Sequence, residues 1–557
     1  MLTIQPKNTK HMTITDPRAI RALNFIQQKS PVTLHTIDDM HQEVKNTVTE
    51  YYSEVYAQAL VENNGNEPKN VKITIGEYAI LLKYVLPLAI IAPQSKLKAT
   101  TAVTEPTLYM YDFDENSSTY GLYIQDYQLL VNIIYYSCPH ETASFRQQIY
   151  NAIVQSTQCV HETSDVNHIP VKNGIFNKKT KELEPFSPDH YYLAKIQTDY
   201  NPQATSPVIT MPDGLTWSFD SWLDELVDHD PVRLEQMWQV ITAALNPGRF
   251  YNKCVIFYSQ DGNNGKGTLG QVLKNIIGES LYSSVNIKNF GVRFRTQQLL
   301  GKILNIADEN PVGANIDEVD EFKAAITGDD IQIEAKGKDA YPMQVRMLNI
   351  QMMNGALFTK DKSNSIYRRL LIIPFTHCFT GVERPYIKRD YMNRTEVKEY
   401  ILKRALEAPI VTEFITTKEN EDALYQTKIE NNTVYEFLDE MLPCFNWDVL
   451  PTKFLYDLYK AWMAKYNQYG KAVKKSTFIE YAVTFFKQND EWSIHTSQND
   501  KIKINGRMDA DEPLISEYNL TDYFDLNYKG TSRKLQRAFP RPKTTRGFVK
   551  TKKTKKK

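Results

Sequence analysis

The sequence predicts an α/β fold, and three observations support that class. An apolar run from Cys254 to Tyr258, of a length typical of a buried strand, leads into a turn rich in Gly and Asn. Apolar side chains then recur at helical spacing, at Leu269, Val272, Leu273, Ile276 and Ile277. Further strand-like apolar runs follow at 300–307, 347–353 and 370–375. A strand, a turn and a helix therefore begin a domain that continues with more strands.

The turn after Tyr258 is a candidate phosphate-binding loop. Small residues allow backbone N–H groups to surround a polyphosphate, the N-terminus of the following helix adds a positive field, and Lys266 can reach the β- and γ-phosphates. The predicted nucleotide contacts are Gly262, Asn263, Asn264, Gly265, Lys266, Gly267, Thr268 and Leu269. We therefore predict a nucleoside triphosphate site; the alternative is a glycine-rich turn that binds nothing.

The loop departs from the pattern G-x-x-x-x-G-K-[ST] at two positions. Gln260 stands at the first glycine, and Gly267 stands where the pattern has the hydroxyl that binds Mg²⁺. Thr268 follows one position later, so it is the remaining candidate for that hydroxyl.

Polar residues follow the next two predicted strands. Asp308 and Glu309 end the first; in an NTPase the first acid holds Mg²⁺ through water and the second polarises the attacking water. Asn354 ends the second, where it can orient that water. The catalytic candidates here are Lys266, Glu309 and Asn354, and the metal candidates are Asp308 and Thr268.

Two further elements fit a ring-shaped NTPase. Such a ring needs an arginine that reaches a neighbour's γ-phosphate, and Arg368 and Arg369 precede the run 370–375; we choose Arg369 because it lies immediately before the run. Two short strands flank Lys336 and Lys338, whose predicted hairpin tip could line a channel and contact a sugar-phosphate backbone. Taken alone, each feature is also compatible with ordinary surface charge.

Composition and charge are those of a globular protein of 557 residues with a net charge of zero. Five scattered cysteines without a C-x-x-C pair fit a reducing cytoplasm. The most apolar run, 78–91, is too short to span a bilayer and predicts a core helix. The segment 529–557 has many Lys and Arg residues and no acid, which predicts a disordered basic arm that attracts a phosphate backbone; a tail that serves only solubility is the alternative.

Two patterns near the N-terminus resemble metal sites, and we favour neither. Asp112 and Asp114 end an apolar strand, as in a two-metal polymerase, but turn-forming residues follow, so a strand that ends in a turn is preferred. Cys138-Pro139-His140 and Cys159-Val160-His161 supply zinc-type ligands, but a single intervening residue makes convergence on one ion harder.

The middle of the chain predicts a small β unit and a helical stretch. Asn173-Gly174 indicates a hairpin, and a second strand is expected to end near residue 202. The apolar pattern over 219–245 then predicts helix.

The C-terminal part predicts a winged helix. Helices are expected over 434–441 and 453–466, and a third near Thr477, which has capping-box spacing to Glu480. Strands at 492–495 and 501–504 would form the wing hairpin. The predicted DNA contacts at the third helix are Lys471, Lys474 and Lys475. A structural lid or a protein-binding winged helix is the alternative.

The order of these motifs resembles the superfamily 3 helicases of viruses, phages and mobile elements. Within them it is most similar to the poxvirus-type and phage/plasmid-type primase–helicases. The most specific matches are 264–268, 300–302, 327–330 and 368–375, and the segment 173–202 is similar to the region before the motor. The replication initiators of staphylococcal pathogenicity islands are a near relative by the same resemblance.

The resemblance implies an AAA+ P-loop NTPase core, a homo-hexameric ring, hydrolysis of ATP with Mg²⁺, and 3′-to-5′ translocation on single-stranded DNA. It assigns phosphate binding to Lys266, magnesium to Asp308, water activation to Glu309, the sensor to Asn354, the arginine finger to Arg369, and DNA gripping to Lys336 and Lys338.

The expected organisation is an N-terminal α+β domain of unassigned role (1–165), a small β unit with a helical collar (166–248), an AAA+ core (249–385), a helical connector (386–430), a winged helix (431–528) and a basic tail (529–557). We expect an ATP-dependent DNA helicase and replication initiator of a phage or mobile genetic element, located in a bacterial host cytoplasm. Its expected partners are single-stranded and origin double-stranded DNA, with a primase or other replication proteins as further candidates and no membrane. The alternatives are a bifunctional primase–helicase that uses Asp112 and Asp114, and a DNA-binding module with a degenerate nucleotide site.

Overall fold

The chain forms two units. The computed structural model describes residues 2–4, 16–92, 107–246, 248–311, 313–316, 319–334, 340–359, 361, 364–466, 470–489, 491–497, 499–524 and 543–551. The first unit comprises Met1–Val312, Ile316–Gly355 and Arg368–Asn420, and the second comprises Gly313–Asn315, Ala356–Tyr367 and Glu421–Lys557. No helix within the described ranges is both long and apolar enough to cross a bilayer.

A five-stranded parallel sheet organises the first unit. Its strands are β1 (Cys254–Tyr258), β2 (Tyr282–Ser283), β3 (Leu304–Ala307), β4 (Leu348–Met353) and β5 (Leu370–Pro374), in the order β2-β3-β4-β1-β5. Every neighbouring pair is parallel. The three central strands are buried along almost their whole length, as expected when both faces of a parallel sheet are covered. The predicted α/β class is confirmed.

Helix α1 (Lys266–Ile277) follows β1 where the sequence predicts it. Gly265 precedes it with a left-handed φ of 79°, a conformation that favours glycine because a Cβ is disfavoured there. The apolar stripe of α1, from Leu269 to Ile277, is fully buried in the core of the sheet. The helix therefore presents its N-terminus to the loop 259–265.

The N-terminal part of the first unit combines helices with a four-stranded sheet. The helices are Pro17–Gln28, Ile37–Glu62, Ile75–Val85, Tyr127–Ser137 and Ala143–Ser156, and the strands are Leu88–Ala92, Leu108–Tyr111, Tyr123–Ile124 and Cys159–His161. A separate antiparallel pair joins Leu2–Ile4 to Val32–Leu34. The prediction of one core helix over 78–91 is wrong beyond residue 85. Pro87 cannot continue the helix, and the next apolar residues form a strand instead.

The segment before β1 contains a small β unit and two helices. Its strands are His168–Val171, Gly174–Asn177 and Glu182–Glu184, followed by the pair Ile209–Thr210 and Thr216–Trp217, and its helices are Phe219–Leu226 and Pro231–Leu245. The predicted hairpin at residues 173 and 174 is confirmed. The predicted strand ending near residue 202 is wrong, because the described residues there form no strand and the strand after the hairpin is Glu182–Glu184. The helical stretch 219–245 is split, because Asp228 and His229 adopt positive φ angles and Asp230 caps a new helix.

The remaining elements of the first unit surround the central sheet. Short 3₁₀ turns lie at Glu279–Leu281, Ile287–Asn289, Thr296–Leu299 and Tyr391–Asn393. A helix, Val319–Thr327, leads into the antiparallel pair Ile331–Ile333 and Tyr341–Met343. After β5 come α2 (Pro385–Arg389) and the helix Thr395–Glu407; the helix Lys418–Glu430 crosses from the first unit into the second, and the strand Asn315–Ile316 lies at a boundary between them.

The second unit has helices packed around a three-stranded sheet. The helices are Asn364–Tyr367, Thr433–Met441, Thr452–Tyr466, Lys475–Phe486 and Leu514–Glu517, with 3₁₀ turns at Leu442–Cys444 and Thr521–Tyr523. The sheet has the order Val449–Pro451, Gly547–Lys550, Trp492–His495, and a second pair joins Ile502–Lys503 to Thr544–Thr545. A further short strand is Phe358–Thr359. The first two helices predicted for this region are confirmed.

Three expectations for the second unit need correction. The third helix begins at Lys475, so Thr477 and Glu480 lie inside it and do not form an N-terminal cap. The two wing strands do not pair with each other; each pairs with a strand of the segment 544–550. The basic tail is therefore not a disordered arm over residues 543–551. Its Phe548 is fully buried and stacks on Phe486, with ring centroids 4.1 Å apart.

Candidate nucleotide-binding site

Three polar segments meet at the carboxyl edge of the central sheet, because β3, β4 and β1 are adjacent parallel strands. The loop 259–265 follows β1, Asp308 and Glu309 follow β3, and Asn354 follows β4. Ligands of open parallel sheets bind outside the carboxyl ends of the strands. The predicted loop, acids and amide therefore share the edge at which such a ligand would bind.

Lys266 is the best-defined residue of this edge. Its side chain is buried, and its Nζ donates to Asn354 Oδ1 at 2.8 Å and to the hydroxyl of Ser259. Among the described residues no carboxylate forms an ion pair with it. A buried ammonium whose partners are all neutral carries an uncompensated desolvation cost, which an anionic ligand would offset.

Ser259 is a contact that the sequence analysis missed. Its Oγ donates to the Asp261 carbonyl at 2.6 Å while it accepts from Lys266, so it holds the start of the loop against the lysine. A serine at the end of a strand is too common to be a signal on its own. The role of the Ser259 hydroxyl depends on the pairing of β1 with β4, because this pairing brings Asn354 to the same Lys266 ammonium.

A hydrogen bond within the phosphate loop holds its shape while its backbone donors stay available. Asn264 Nδ2 donates to the Asp261 carbonyl at 2.8 Å, and Asn263 has a left-handed φ of 61°. In the part of the chain that the structure describes, the backbone N–H groups of 262–267 have no protein acceptor. Unpaired N–H groups at a helix N-terminus form a cradle suited to phosphate oxygens.

The predicted metal ligand Asp308 lies beside a lysine that the sequence analysis missed. Lys274, two turns along α1 from Lys266, forms an ion pair with the Asp308 carboxylate. The Lys274 side chain is buried, and its Nζ lies 5.4 Å from the centroid of the Tyr282 ring. Glu309 is exposed, and its carbonyl accepts from Asn286 Nδ2 at 3.1 Å. Lys274 therefore neutralises the charge of the Asp308 carboxylate, and the Glu309 side chain remains exposed to solvent.

The donors at this edge fit Mg²⁺ only as part of a larger set. Carboxylate and hydroxyl oxygens suit a hard cation, so Asp308 and Thr268 are the residues that would hold it. The described residues contain no cluster of three or more His, Cys, Asp or Glu side chains able to hold a metal. Protein sites for Mg²⁺ commonly use one or two side chains and complete the shell with substrate phosphates and water. A metal here would have to draw Asp308 away from Lys274.

The structure does not bring the two arginines to this edge. Arg368 and Arg369 precede β5, and the Arg369 carbonyl accepts from Cys254 N at 2.7 Å, at the start of β1. The five-residue strand β1 separates them from the phosphate loop by roughly 16 Å, at about 3.3 Å per residue. Arg368 is exposed and Arg369 is partly buried. Neither arginine is positioned to serve the nucleotide site of its own chain.

The predicted DNA contacts lie away from the nucleotide edge. Lys336 and Lys338 fall outside the described residues, although the strands that flank them form the predicted antiparallel pair. In the second unit Lys471, Lys474 and Lys475 are exposed at the start of the helix Lys475–Phe486. Their cationic groups are therefore available to a ligand.

The segment 292–295 is a further candidate DNA contact, and sequence reasoning missed it. Val292 and Phe294 are exposed, and Phe294 has an unusual positive φ of 65°. Arg293 Nε donates to Glu334 Oε2 at 2.6 Å, which ties the segment to the strand pair that flanks Lys336. An exposed aromatic ring beside arginines is the combination that binds single-stranded nucleic acid. Two arginines that alternate with exposed apolar residues were the available signal in the sequence.

The N-terminal carboxylates have structural partners. Asp112 is buried and accepts from the backbone N–H of Asp114 at 3.0 Å and from Thr119 Oγ1 at 2.5 Å. Asp114 in turn accepts from the N–H of Asn116 at 3.0 Å. Both side chains organise the turn that follows the strand Leu108–Tyr111, which agrees with the preferred interpretation of this motif.

Nucleotide binding should depend on pH through Lys266. Burial lowers the pKa of this lysine to about 8. We expect the affinity of the free protein for ATP to fall as the pH rises through this value, because the neutral amine no longer attracts phosphate. Calorimetric titrations on both sides of that pH would measure the effect.

The matched control for this pH dependence is Lys266→Arg, because a guanidinium stays charged over the whole range. The fall in affinity should be absent from this variant if it still binds ATP. An equal fall in both proteins would attribute the effect to another group.

Three segments of the chain match models of protein families. Residues 139–228 match the description "D5 N terminal like", and residues 429–508 match "Poxvirus D5 protein-like". Residues 257–369, from within β1 to Arg369, match a family of unknown function (DUF5906). The two D5 matches are similarities over two segments of the chain, and they agree with the resemblance of its sequence motifs to the poxvirus-type group. They do not address the initiators of staphylococcal islands.

Several solved structures share a loose likeness with the chain. One apo structure of the C-terminal region of NrS-1 shows 13% identity and a TM-score of 0.41, covering 85% of this chain and 98% of that one. A second apo structure of that region, which like the first is in the A form, shows 14% identity and a TM-score of 0.35, with coverage of 74% and 91%. A third shows 12% identity and a TM-score of 0.33, with coverage of 68% and 91%. Similarity this low carries no functional conclusion.

Proposed function

We propose that this protein is an ATP-hydrolysing DNA helicase that initiates replication, built on an AAA+ core. The observation that carries the proposal is the buried Lys266 ammonium. Among the described residues its hydrogen-bond partners are Ser259 and Asn354, and the backbone N–H groups of 262–267 have no acceptor there. The strand order β2-β3-β4-β1-β5 supports the same core, because it brings the acids after β3 and the amide after β4 next to that loop.

The chain's own residues have distinct roles in the proposed hydrolysis. Lys266 and the loop N–H groups bind the β- and γ-phosphates of ATP, and Asp308 holds Mg²⁺, with Thr268 as a further ligand. A bound magnesium ion supplies charge neutralisation at the phosphates. Glu309, exposed at the same edge, accepts a proton from the attacking water, while Asn354 orients that water.

The proposed DNA contacts are divided between the two units. In the first unit the hairpin lysines Lys336 and Lys338 grip the backbone of single-stranded DNA, and Phe294 adds a stacking surface beside Arg293. In the second unit Lys471, Lys474 and Lys475 contact origin duplex DNA. Because neither Arg368 nor Arg369 lies near its own phosphate loop, the proposed hydrolysis requires an arginine from a neighbouring copy. The proposal therefore includes a homo-hexameric ring, and it includes 3′-to-5′ movement along single-stranded DNA.

Strand displacement on a forked duplex with a 3′ single-stranded tail tests the proposal. We expect unwinding by the wild type with ATP and Mg²⁺, and none with Lys266→Ala or with a non-hydrolysable analogue. A fork with only a 5′ tail should not be unwound. Binding of DNA without any ATP turnover would instead support the alternative of a DNA-binding module with a degenerate nucleotide site.

Primer synthesis is the alternative that the D5-type relationship keeps open. The hydrogen bonds of Asp112 to Asp114 and Thr119 support a structural role for these carboxylates rather than a two-metal site. Incorporation of labelled ribonucleotides and deoxyribonucleotides on a bare template would decide the matter. Synthesis that is lost in Asp112→Asn while the protein stays folded would favour the primase–helicase.

Arg369→Ala should retain ATP binding and lose turnover by about 1,000-fold or more, the range found for arginine fingers. The reason is positional, since Arg369 lies at the opposite edge of the sheet from its own phosphate loop. Arg368→Ala is measured beside it, because Arg368 is the more exposed of the two.

Mixing of inactive subunits tests whether the arginine acts between copies. Glu309→Gln subunits retain the arginine, and Arg369→Ala subunits retain an intact loop, so mixed rings should recover part of the turnover. Normal turnover by Arg369→Ala alone would contradict the assignment. Loss in Arg368→Ala alone would transfer it to the neighbouring residue.

A further inference from the structure

The segment after β5 runs along the phosphate loop and is joined to it. Phe379 N donates to the Asn263 carbonyl at 2.9 Å, and Asn263 Nδ2 donates to Glu383 Oε1 at 2.7 Å. The segment then enters α2, and Asn393 beyond α2 contacts Asn275 of α1. The loop 259–265 and the start of α1 therefore lie against a second piece of chain from more than one hundred residues further on.

Lys388 of α2 brings a second ammonium to the start of α1. A Cβ built on Gly267 would lie 3.8 Å from Lys388 Nζ, and no other atom outside the neighbouring backbone comes within 4 Å of it. Lys388 is exposed to solvent, and within the described ranges its Nζ has neither a hydrogen bond nor an ion pair. The ammonium thus reaches the first turn of α1 without a partner of its own, at the position where the loop departs from the usual motif.

Lys388 and the N-terminus of α1 carry charge of the same sign, although solvent screens the exposed Lys388 ammonium. The N-terminus of a helix carries a partial positive charge, so a cation there is destabilising. Lys266 adds a second ammonium at the same turn. Two acids of the segment are already engaged: Glu383 accepts from Asn263 and from the N–H of Gly381 at 3.0 Å, and Asp390 forms an ion pair with Arg394. A polyphosphate would supply the missing negative charge.

We propose that Lys388 is a second phosphate-binding residue of the nucleotide site, supplied by the same chain. This inference rests on the proposed function and names one more group that holds the nucleotide. A Cβ at position 267 would make only ordinary van der Waals contact with Lys388 Nζ, so the distance places this ammonium beside the first turn of α1. Helix α2 belongs to the segment after β5 that is hydrogen-bonded to Asn263. A phosphate bound by Lys388 would therefore connect this segment to the phosphate loop.

Titration of the full-length chain with fluorescently labelled ATP and ADP tests the proposal. Lys388→Ala is expected to weaken binding of at least one nucleotide by about 10- to 100-fold, the range for loss of one charge-assisted hydrogen bond. Lys388→Arg should restore most of the affinity. Arg389→Ala is the matched control, since it removes one positive charge from the adjacent residue of the same short helix, and its affinity should equal that of the wild type.

The stability of the nucleotide-free protein separates binding from a structural role. Removal of an unpartnered cation from a helix N-terminus should leave the melting temperature of free Lys388→Ala unchanged or higher. A lower melting temperature with unchanged nucleotide affinity would overturn the proposal. Equal weakening by Arg389→Ala would also overturn it, because the effect would then be one of net charge. A wild type that binds neither nucleotide would refute the proposed function itself, and this inference with it.

Discussion

Lys266→Ala is expected to lower ATP turnover by about 100- to 1,000-fold, the range found when one preorganised electrostatic donor is removed from an active site. The Lys266 ammonium is held in place before any ligand binds, by Asn354 Oδ1 at 2.8 Å and by the Ser259 hydroxyl. It therefore needs little rearrangement to meet the developing negative charge at the γ-phosphate. A coupled assay of phosphate release, with and without single-stranded DNA, would measure the loss.

The folded state of this variant should survive the change. The wild-type lysine is buried and has no carboxylate partner in the part of the chain that the structure describes, so alanine removes a desolvation cost together with two hydrogen bonds to neutral groups. Thermal unfolding should consequently be close to that of the wild type. Lys179→Ala, at an exposed turn of the same unit, is the charge-matched control and should turn over ATP normally. Wild-type turnover by Lys266→Ala would contradict the nucleotide site.

The core of the site could be predicted from sequence because its parts are local. The loop, the two acids and Asn354 each follow directly on an apolar strand, and parallel strands expose their carboxyl ends on one edge. The sequence pattern identifies the strands, and their parallel arrangement brings the polar groups together. No distance information is needed for that step.

The residues that sequence reasoning missed depend on contacts between distant segments. Lys388 lies more than one hundred residues after the loop that it approaches, and Ser259 gains its meaning from a neighbouring strand. Lys274 had a weak signal, since a lysine next to Leu273 on the buried face of α1 requires a partner. The sequence could not show that the partner is Asp308.

The same distinction explains the errors in the fold. The helices Thr433–Met441 and Thr452–Tyr466 are set by local apolar spacing, and the sequence predicts them within a residue. The sheet of the second unit is not local. Its strands at 492–495 and 502–503 pair with residues about fifty and forty positions further on, and hairpin reasoning joins only strands that are close in sequence. The many Lys and Arg residues of the segment 529–557 predicted a disordered arm, so the short apolar pair Phe548 and Val549 was not recognised as part of a strand.

Removal of residues 543–557 is expected to unfold the second unit. Gly547–Lys550 is the middle strand of the three-stranded sheet, so its loss leaves two strands without a neighbour.

A single substitution tests the same strand. Phe548 is fully buried against Phe486, and Phe548→Ala should destabilise this unit by about 3–5 kcal/mol, the usual range for Phe to Ala in a core. Thermal unfolding followed by tryptophan fluorescence would report the change, since Trp447, Trp462 and Trp492 all lie in this unit.

Removal of residues 552–557 alone separates the charge of the tail from its structural role. This deletion takes away the terminal lysines but leaves Gly547–Lys550 in the sheet, so the unfolding transition should match that of the wild type. If these lysines contact phosphates, affinity for DNA should fall and its dependence on salt should become shallower, by about 0.9 in logarithmic slope for each lost phosphate contact with duplex DNA. An unchanged slope would show that they make none. Unfolding by the longer deletion but not by the shorter one would assign stability to the strand, and a stable unit after the longer deletion would contradict the sheet described above.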